Sequence, residues 1–395
     1  MKIAIVGATG HVGSRLVDEA LSRGHHVTAI ARNATRLPPD QNLSVSNADA
    51  ANPEDLSAAI VSQESPFHPA ELALQERFGR RRMLATSARR FVRDHLIPQH
   101  REFFQQLPFI VVGSVDSAGQ PWASIVAGRP GFAASPDPLH LRVGALPNPD
   151  DPLAANLAQG TPIAVLGIEL TTRRRNRLNG TLSALDADGW TITVVQSYGN
   201  CPQYIQSRDL HFVNEPAALP GVRSSRLSPA DESLIARADT FFIASANPRK
   251  EDGESYGADV SHRGGRPGFV RIDGDNTLTV PDFMGNFFFN TIGNLQVDPR
   301  AGLLFPDFSS GDVLMLSTRA SVIWDGDEVR SFEGAQRLLR FEVESTIRFN
   351  QALPFRSDGN INYAPELART GTWAQSAVSH AAGFEPDSQR EKLHQ

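Results

Sequence analysis

Three glycines at three-residue intervals, Gly7, Gly10 and Gly13 in GATGHVG, follow the apolar run of Ile3, Ile5 and Val6. Glycine at such places lets a backbone turn sharply and approach a diphosphate closely. A helix predicted from about Val12 to Ser22 aims its N-terminal N–H groups and dipole at the same anion. The next strand, HVTAIAR, ends on Arg32 with Arg36 nearby, where an NAD site would place an acid for the ribose hydroxyls. A cation there suits a 2′-phosphate, so the residues favour NADP(H) over NAD. Far downstream, SHRGGRPGF sets Arg263 and Arg266 around two glycines, a flexible basic turn able to hold a phosphate bidentately. GNFFFNTIGN adds Asn286, Asn290, Thr291 and Asn294, short polar groups at a helix start where backbone N–H groups are free.

The opening is not spaced as GxGxxG. With the continuation NLSVSNADAANPEDLSAAI, read as a third strand and helix, it resembles the atypical short-chain dehydrogenase and NmrA-like NAD(P)H-binding proteins. That resemblance stops near Ile60. No tyrosine precedes Tyr198, so a Tyr-x-x-x-Lys pair is absent there, and VSQESPFHPAELALQERFGRRRM carries helix signals where the next strand belongs. Half of a doubly wound sheet has a small core and an unpaired edge, and is marginal unless it packs on something else.

The whole chain of 395 residues has room for two or three domains, and its 40% apolar and 21% charged content is that of an ordinary globular protein. A formal net charge of −6 argues against a general nucleic-acid binder. The single cysteine, Cys201, excludes an intramolecular disulfide and a cysteine-built metal site, and fits a reducing compartment. No apolar run reaches membrane-spanning length, and MKIAIVG reads as a strand broken by glycine, not as a signal peptide. A cytoplasmic protein acting on a small molecule, without nucleic-acid or membrane partners, is the expectation.

Residues 63–107 read as a helical lead-in, with Leu72, Phe78, Phe91, Leu96, Phe103 and Phe104 expected to be buried. From Pro108 the texture changes to short strands and turns, the pattern of barrels and not of a parallel sheet. The tetrapeptide Arg129-Pro130-Gly131-Phe132 recurs as Arg266-Pro267-Gly268-Phe269. Each copy leads into a strand, an asparagine-bearing helix start, an apolar strand and a further strand ending in a turn.

GFVRIDGDNTLTVPDFMGNFFFNTIGNLQVDPRAGLLFPDF carries a further likeness. It resembles the FMN-binding split barrel of the pyridoxamine 5′-phosphate oxidase-like superfamily, closest to its long two-barrel members, over about Pro66 to Ser357. The resemblance implies a mainly β fold with helices: two tandem split β-barrels after a partial Rossmann α/β unit. Its boundaries are 1–62 (nucleotide-binding fragment), 63–107 (lead-in), 108–225 and 226–357 (barrels) and 358–395 (polar tail). It also implies FMN as cofactor beside NADP(H), an interface between two barrels supplied by a homodimer or by an intrachain pseudo-dimer, and flavin-dependent oxidoreduction. The expected flavin shell is Arg263, Arg266, Asn290, Thr291 and Asn294; no catalytic residue and no metal ligand is assigned. Against the family pattern, the tail has no Arg-x-His-type segment, which puts vitamin B6 chemistry in doubt. Arg173, Arg174, Arg175 and Arg177 are expected on a solvated connection, while His262 is open between a surface position and a proton relay. Two other readings stay open: a non-catalytic flavin-binding module and an NADPH-sensing module.

Overall fold

A computed structural model describes residues 2–52, 65–213, 220–274 and 276–373. The expected helix in PEDLSAAI and most of the polar tail lie outside them. The chain forms two compact units, Met1–Pro66 with Gly79–Phe91, and Phe67–Phe78 with Val92–Gln395.

In the first unit, β1 (Lys2–Val6), β2 (His26–Ala31) and β3 (Leu43–Asn47) form a parallel sheet in the order β1-β2-β3. Helix α1 (His11–Ser22) buries Gly13, Val17 and Ala20, one face at helical spacing, and Val17 and Ala20 join Ile5, Val27 and Ala29 in a small core. Among the described residues β1 pairs only with β2, the free edge expected of half a doubly wound sheet.

The helical stretch is α2 (Pro69–Arg77), α3 (Arg81–Phe91) and α4 (Pro98–Gln105). Leu96, Phe103 and Phe104 are buried as expected, and Leu72 and Phe78 are half-buried. Phe91 is 55% exposed, a correction: it is the last residue of α3, past the buried Leu84 and Ala88 on the same helix face.

The second unit holds two antiparallel sheets. The first contains β4 (Phe109–Val115), β5 (Pro121–Ala127), β6 (Ala133–Ala134), β7 (His140–Val143), β8 (Pro162–Glu169), β9 (Arg174–Asp186) and β10 (Gly189–Asn200) in the order β5-β4-β8-β9-β10-β7-β6. Helix α5 (Pro152–Asn156) connects β7 to β8. Two short strands follow, β11 (Leu210–Phe212) and β12 (Val222–Ser224), then α6 (Pro229–Arg237).

The second sheet contains β13 (Thr240–Asn247), β14 (Gly257–Gly264), β15 (Arg271–Ile272), β16 (Thr277–Phe283), β17 (Arg300–Pro306), β18 (Val313–Ile323) and β19 (Ala335–Phe349). Its order is β14-β13-β17-β18-β19-β16-β15, with β12 added on β19. Helix α7 (Asn290–Val297) connects β16 to β17. Strand for strand this is the order of the first sheet, and in both the path is open, each end strand having a single partner. The recurring tetrapeptide, preceded by glycine in both copies, occupies the same turn between the second and third strands. There the Phe132 N–H donates to Arg129 O (3.0 Å) and the Phe269 N–H to Arg266 O (2.9 Å).

Three apolar clusters hold this unit together. One fills the first sheet around Val112, Leu141, Val165 and Trp190, and another fills the second around Phe241, Leu303, Phe305 and Phe341. The third lies between the sheets, where Phe109, Val111, Trp122 and Leu166 meet Phe242, Val260, Leu304 and Met315. Of the site-bearing strands, β9 adds Leu178 and Leu182 to the first of these clusters and β14 adds Ala258 and Val260 to the third. No helix among the described residues is long and apolar enough to cross a membrane.

Candidate functional site

In the first unit the chain end of β1 turns at Gly7 (φ +75°), whose carbonyl accepts from the Gly10 N–H at 2.9 Å. A Cβ at Gly13 would stand 2.1 Å from that same carbonyl oxygen, so only glycine lets α1 sit this close to the turn. Arg32 follows β2 immediately and is exposed, as is Arg36, and the Thr9 hydroxyl donates to Asn33 Oδ1 (2.8 Å) to tie the glycine turn to that strand end. Gly7, Gly10, Gly13 and Arg32 thus gather beyond the C-terminal ends of adjacent parallel strands, where α/β sheets bind nucleotides. Gly13→Ala is expected to cost this unit about 1–3 kcal/mol through overpacking. Hydrogen exchange of the β1 and α1 amides measures it.

In the second unit a cleft of about 700 Å³, counting its open mouth, draws residues from both sheets. Strand β9 supplies Arg175 and Arg177, β14 supplies Ser261, His262 and Arg263, the start of α7 supplies Asn290 and Thr291, and β19 supplies Arg337. Arg177 is its centre. One terminal nitrogen donates to Asp259 Oδ1 (2.7 Å), Tyr198 Oη (3.1 Å) and Asn290 Oδ1 (3.2 Å), and the other to Ser261 Oγ (2.5 Å). The Thr291 hydroxyl donates to Ser261 Oγ at 3.0 Å. Arg263 and Arg337 share Asp282, each at 3.3 Å, and Arg175 Nε donates to Cys201 O (2.6 Å). The Arg337 guanidinium also stands 5.0–5.5 Å from the rings of Phe78, Phe289 and Trp324.

The charge of this cleft is unbalanced. Four arginines face two carboxylates, Asp259 and Asp282. Burial, with the neighbouring Arg177 and Arg263 charges, pushes the Arg175 guanidinium down to about 9. Burial, with Arg263 and Arg77, lowers Arg337 too. Burial and the Arg175, Arg263 and Arg208 charges keep His262 neutral, far below the ordinary histidine range. Five polar atoms of lining residues are buried with no hydrogen-bond partner: Arg177 Nε, Arg263 Nε, Arg337 Nε, His262 Nε2 and Asn200 Oδ1. Buried donors and cations left in this state are costly, and an anion relieves both. The loop between β16 and α7 adds strain, since Phe287 (φ +62°) and Phe289 (φ +63°) adopt left-handed backbone, a conformation that persists where surrounding structure enforces it.

Of the expected shell, Arg263, Asn290 and Thr291 line the cleft. Asn294 does not; one turn deeper, its Nδ2 donates to Ser245 Oγ (3.1 Å) and its Oδ1 meets His68 Nε2 (3.0 Å), so it anchors α7 to the segment entering α2. Arg266 does not either. The two glycines carry it past the end of β14, where it reaches Leu367 O (3.4 Å) and lies 6.0 Å from the Tyr363 ring. His262 is buried, not a surface histidine. Arg175 and Arg177 are not on a solvated connection but in β9, and the alternation of RRRNR, which puts both on one strand face, was the available signal. Among the described residues no group of three or more His, Cys, Asp or Glu side chains could hold a metal.

Glu71 was not expected. It is buried in α2 against α7, where Gly293 leaves room: a Cβ there would meet Glu71 Cγ at 2.5 Å. Its Oε1 accepts from Asn290 Nδ2 (2.5 Å) and its Oε2 from the His68 N–H (2.8 Å), yet burial outweighs both and pushes the carboxyl up to about 8. The folded chain keeps this proton to about pH 8 while the unfolded chain loses it near 4.5, so Glu71 makes the fold progressively less stable as pH rises between those values. Glu71→Gln is expected to flatten the fall of unfolding free energy between about pH 5 and 8, by roughly 1.4 kcal/mol for each unit of pKa displacement removed. Urea denaturation of both proteins across that range checks it.

Residues 7–66 match an NAD(P)H-binding family. A 3-beta-hydroxysteroid dehydrogenase of Mycolicibacterium neoaurum is 32% identical over 71 residues, which is 18% of this chain and 19% of that protein. The chain spans about a fifth of the length of the curated relatives it matches. Solved structures similar to it include an FMN-binding protein from Syntrophomonas wolfei (12% identity, TM-score 0.22, covering 30% of this chain and 88% of that one). Another, from Clostridium acetobutylicum, is a protein of the pyridoxinephosphate oxidase family related to a general stress protein (10% identity, TM-score 0.23, 35% and 94%). The opening segment is therefore similar to NAD(P)H-binding proteins, and the solved structures similar to this chain include pyridoxamine 5′-phosphate oxidase-like proteins.

Proposed function

We propose that this chain is a flavin-dependent oxidoreductase that holds FMN by its phosphate in the cationic cleft and takes electrons from NADPH bound at the glycine turn. The observation that carries the reading is the charge excess of that cleft together with its unpartnered buried donors, a donor set matched to a dianion. Arg263, Arg177, Ser261 and Thr291 are the residues to hold the phosphate, and Arg175 and Arg337 add positive potential around it. FMN, when bound, supplies a ring that accepts a hydride. The chain's part is to bind and orient it, and the surrounding guanidinium groups favour the negative charge of its reduced form. His262, kept neutral, has an Nε2 free to donate or accept one hydrogen bond. The segment similar to NAD(P)H-binding proteins supports the donor, and exposed Arg32 supports NADPH over NADH.

On this reading the two sheets are an internal repeat acting as a pseudo-dimer within one chain, in the reducing setting that a single cysteine suits. Anaerobic titration with NADPH, followed through the visible flavin band, is the test. Stoichiometric bleaching supports the reading. A flavin band that persists leaves a flavin-binding module without this donor, and no band after adding FMN removes the flavin.

A further inference from the structure

A second cleft, of about 1270 Å³ counting its mouth, also draws residues from both sheets, lined by Ile125, Ala127, Leu146, Phe212, Val313 and Phe349 among others. The strand registers show what it is. Phe109 pairs with Ala127 as Thr240 pairs with Gly264, which also superposes the two recurring turns. Two residues on, Val111 pairs with Leu166 as Phe242 pairs with Leu304, and those partners pair in turn with Arg177 and Met315. Likewise Ile168 and Pro306 pair with Arg175 and Val313, which pair with Asn200 and Phe349.

The second cleft is thus the counterpart of the cationic one, with its polar set replaced residue by residue. Val313 stands for Arg175, Met315 for Arg177, Phe349 for Asn200, Ile125 for His262 and Val126 for Arg263. All but Met315 line it. Ser124, the counterpart of Ser261, is kept, but its hydroxyl donates to Asp151 Oδ1 at 2.6 Å, and the Leu153 N–H donates to the same oxygen at 2.8 Å. Both bonds fall on Oδ1 of this lining carboxyl, and among the described residues no hydrogen bond falls on its Oδ2. Arg129, at the rim 5.5 Å from the Phe212 ring, is the cation among its lining residues. A phosphate would meet apolar walls and a carboxyl where the other cleft offers four guanidinium groups.

We infer that this second cleft is a binding site for an uncharged, largely apolar small molecule bearing one hydroxyl or N–H donor directed to Asp151, a ligand class different from the anion of the first cleft. The inference does not depend on the flavin reading. Its probes are 2-naphthol, two fused rings with one hydroxyl donor, and 2-naphthyl phosphate, the same rings carrying a dianion.

The full chain is expected to bind 2-naphthol saturably with one-to-one stoichiometry, by calorimetry. Ala127→Trp, which fills the half-buried wall, is expected to weaken it about tenfold or more. Leu146→Glu, at a rim position exposed enough to leave the fold intact, is expected to weaken it in the same direction. Neither variant should change 2-naphthyl phosphate binding, and Arg263→Gln should leave 2-naphthol binding unchanged. The inference is overturned if 2-naphthol binds without saturation, if neither wall variant affects it, if Arg263→Gln abolishes it, or if both probes weaken alike in the wall variants.

Discussion

Arg177→Met is expected to destabilise the second unit by about 3–5 kcal/mol, the largest effect of any single substitution in the site. The guanidinium is 3% exposed and holds Asp259 at 2.7 Å across the boundary between the sheets, and Asp259 is itself 4% exposed. Removing the cation leaves a carboxylate buried with its main partner gone, along with Tyr198 Oη and Ser261 Oγ deprived of a charged donor. Methionine is the informative replacement because Met315 occupies the corresponding register position of the other sheet, so the side chain itself suits the strand. Urea denaturation measures the loss. The double variant Arg177→Met, Asp259→Asn is expected to regain a substantial part of it, since the stranded charge is then gone. A double variant no more stable than the single one would mean that the cost lies in packing and not in the unpaired carboxylate.

Arg263→Gln is expected to weaken binding of FMN about 10- to 100-fold, with little change in the melting temperature. A charge-assisted hydrogen bond is worth about 1.5–3 kcal/mol, and each 1.4 kcal/mol is about a factor of ten. Arg263 offers such a bond from an Nε that has no partner now, while its Asp282 contact at 3.3 Å is shared with Arg337, which retains that carboxylate. Arg266→Gln, three residues on, is expected to leave affinity within about twofold, because its guanidinium sits on Leu367 O away from the cleft. Fluorescence titration of flavin against the three proteins separates the two arginines, and equal losses in both would move the phosphate site to the RGGR turn as a whole.

The contrast between these two arginines shows what the sequence could disclose. Both belong to one local motif, and its character as a basic, glycine-rich turn was legible; which of them faces the cleft depends on where β14 ends, which is set by its pairing with β13. The glycine turn at the front was legible for the same local reason, its geometry being decided within a few residues of Gly7 and Gly13. Arg175 and Arg177 were read as solvated because a run of arginines usually is. The burial of Arg177 is made acceptable by Asp259 and Ser261, more than 80 residues away on another sheet, and Arg175 is held by Cys201 O on the neighbouring loop. Glu71 was silent for a like reason: what raises its pKa is the docking of α2 on α7, 219 residues from Glu71 to Asn290. Alternation and turn chemistry thus gave the elements, and long-range packing decided which charges they bury.

The identical strand order of the two sheets has a consequence for how such a protein can change over generations. When two copies of one gene product associate about a twofold axis, every substitution arises in both halves at once, so a cleft cannot lose an arginine without its twin losing one as well. Covalent linkage removes that constraint. One mutation then alters one cleft, and Val313, Met315 and Phe349 could accumulate in one half while Arg175, Arg177 and Asn200 were retained in the other. With both sheets in a single reading frame, each can vary while the other is kept.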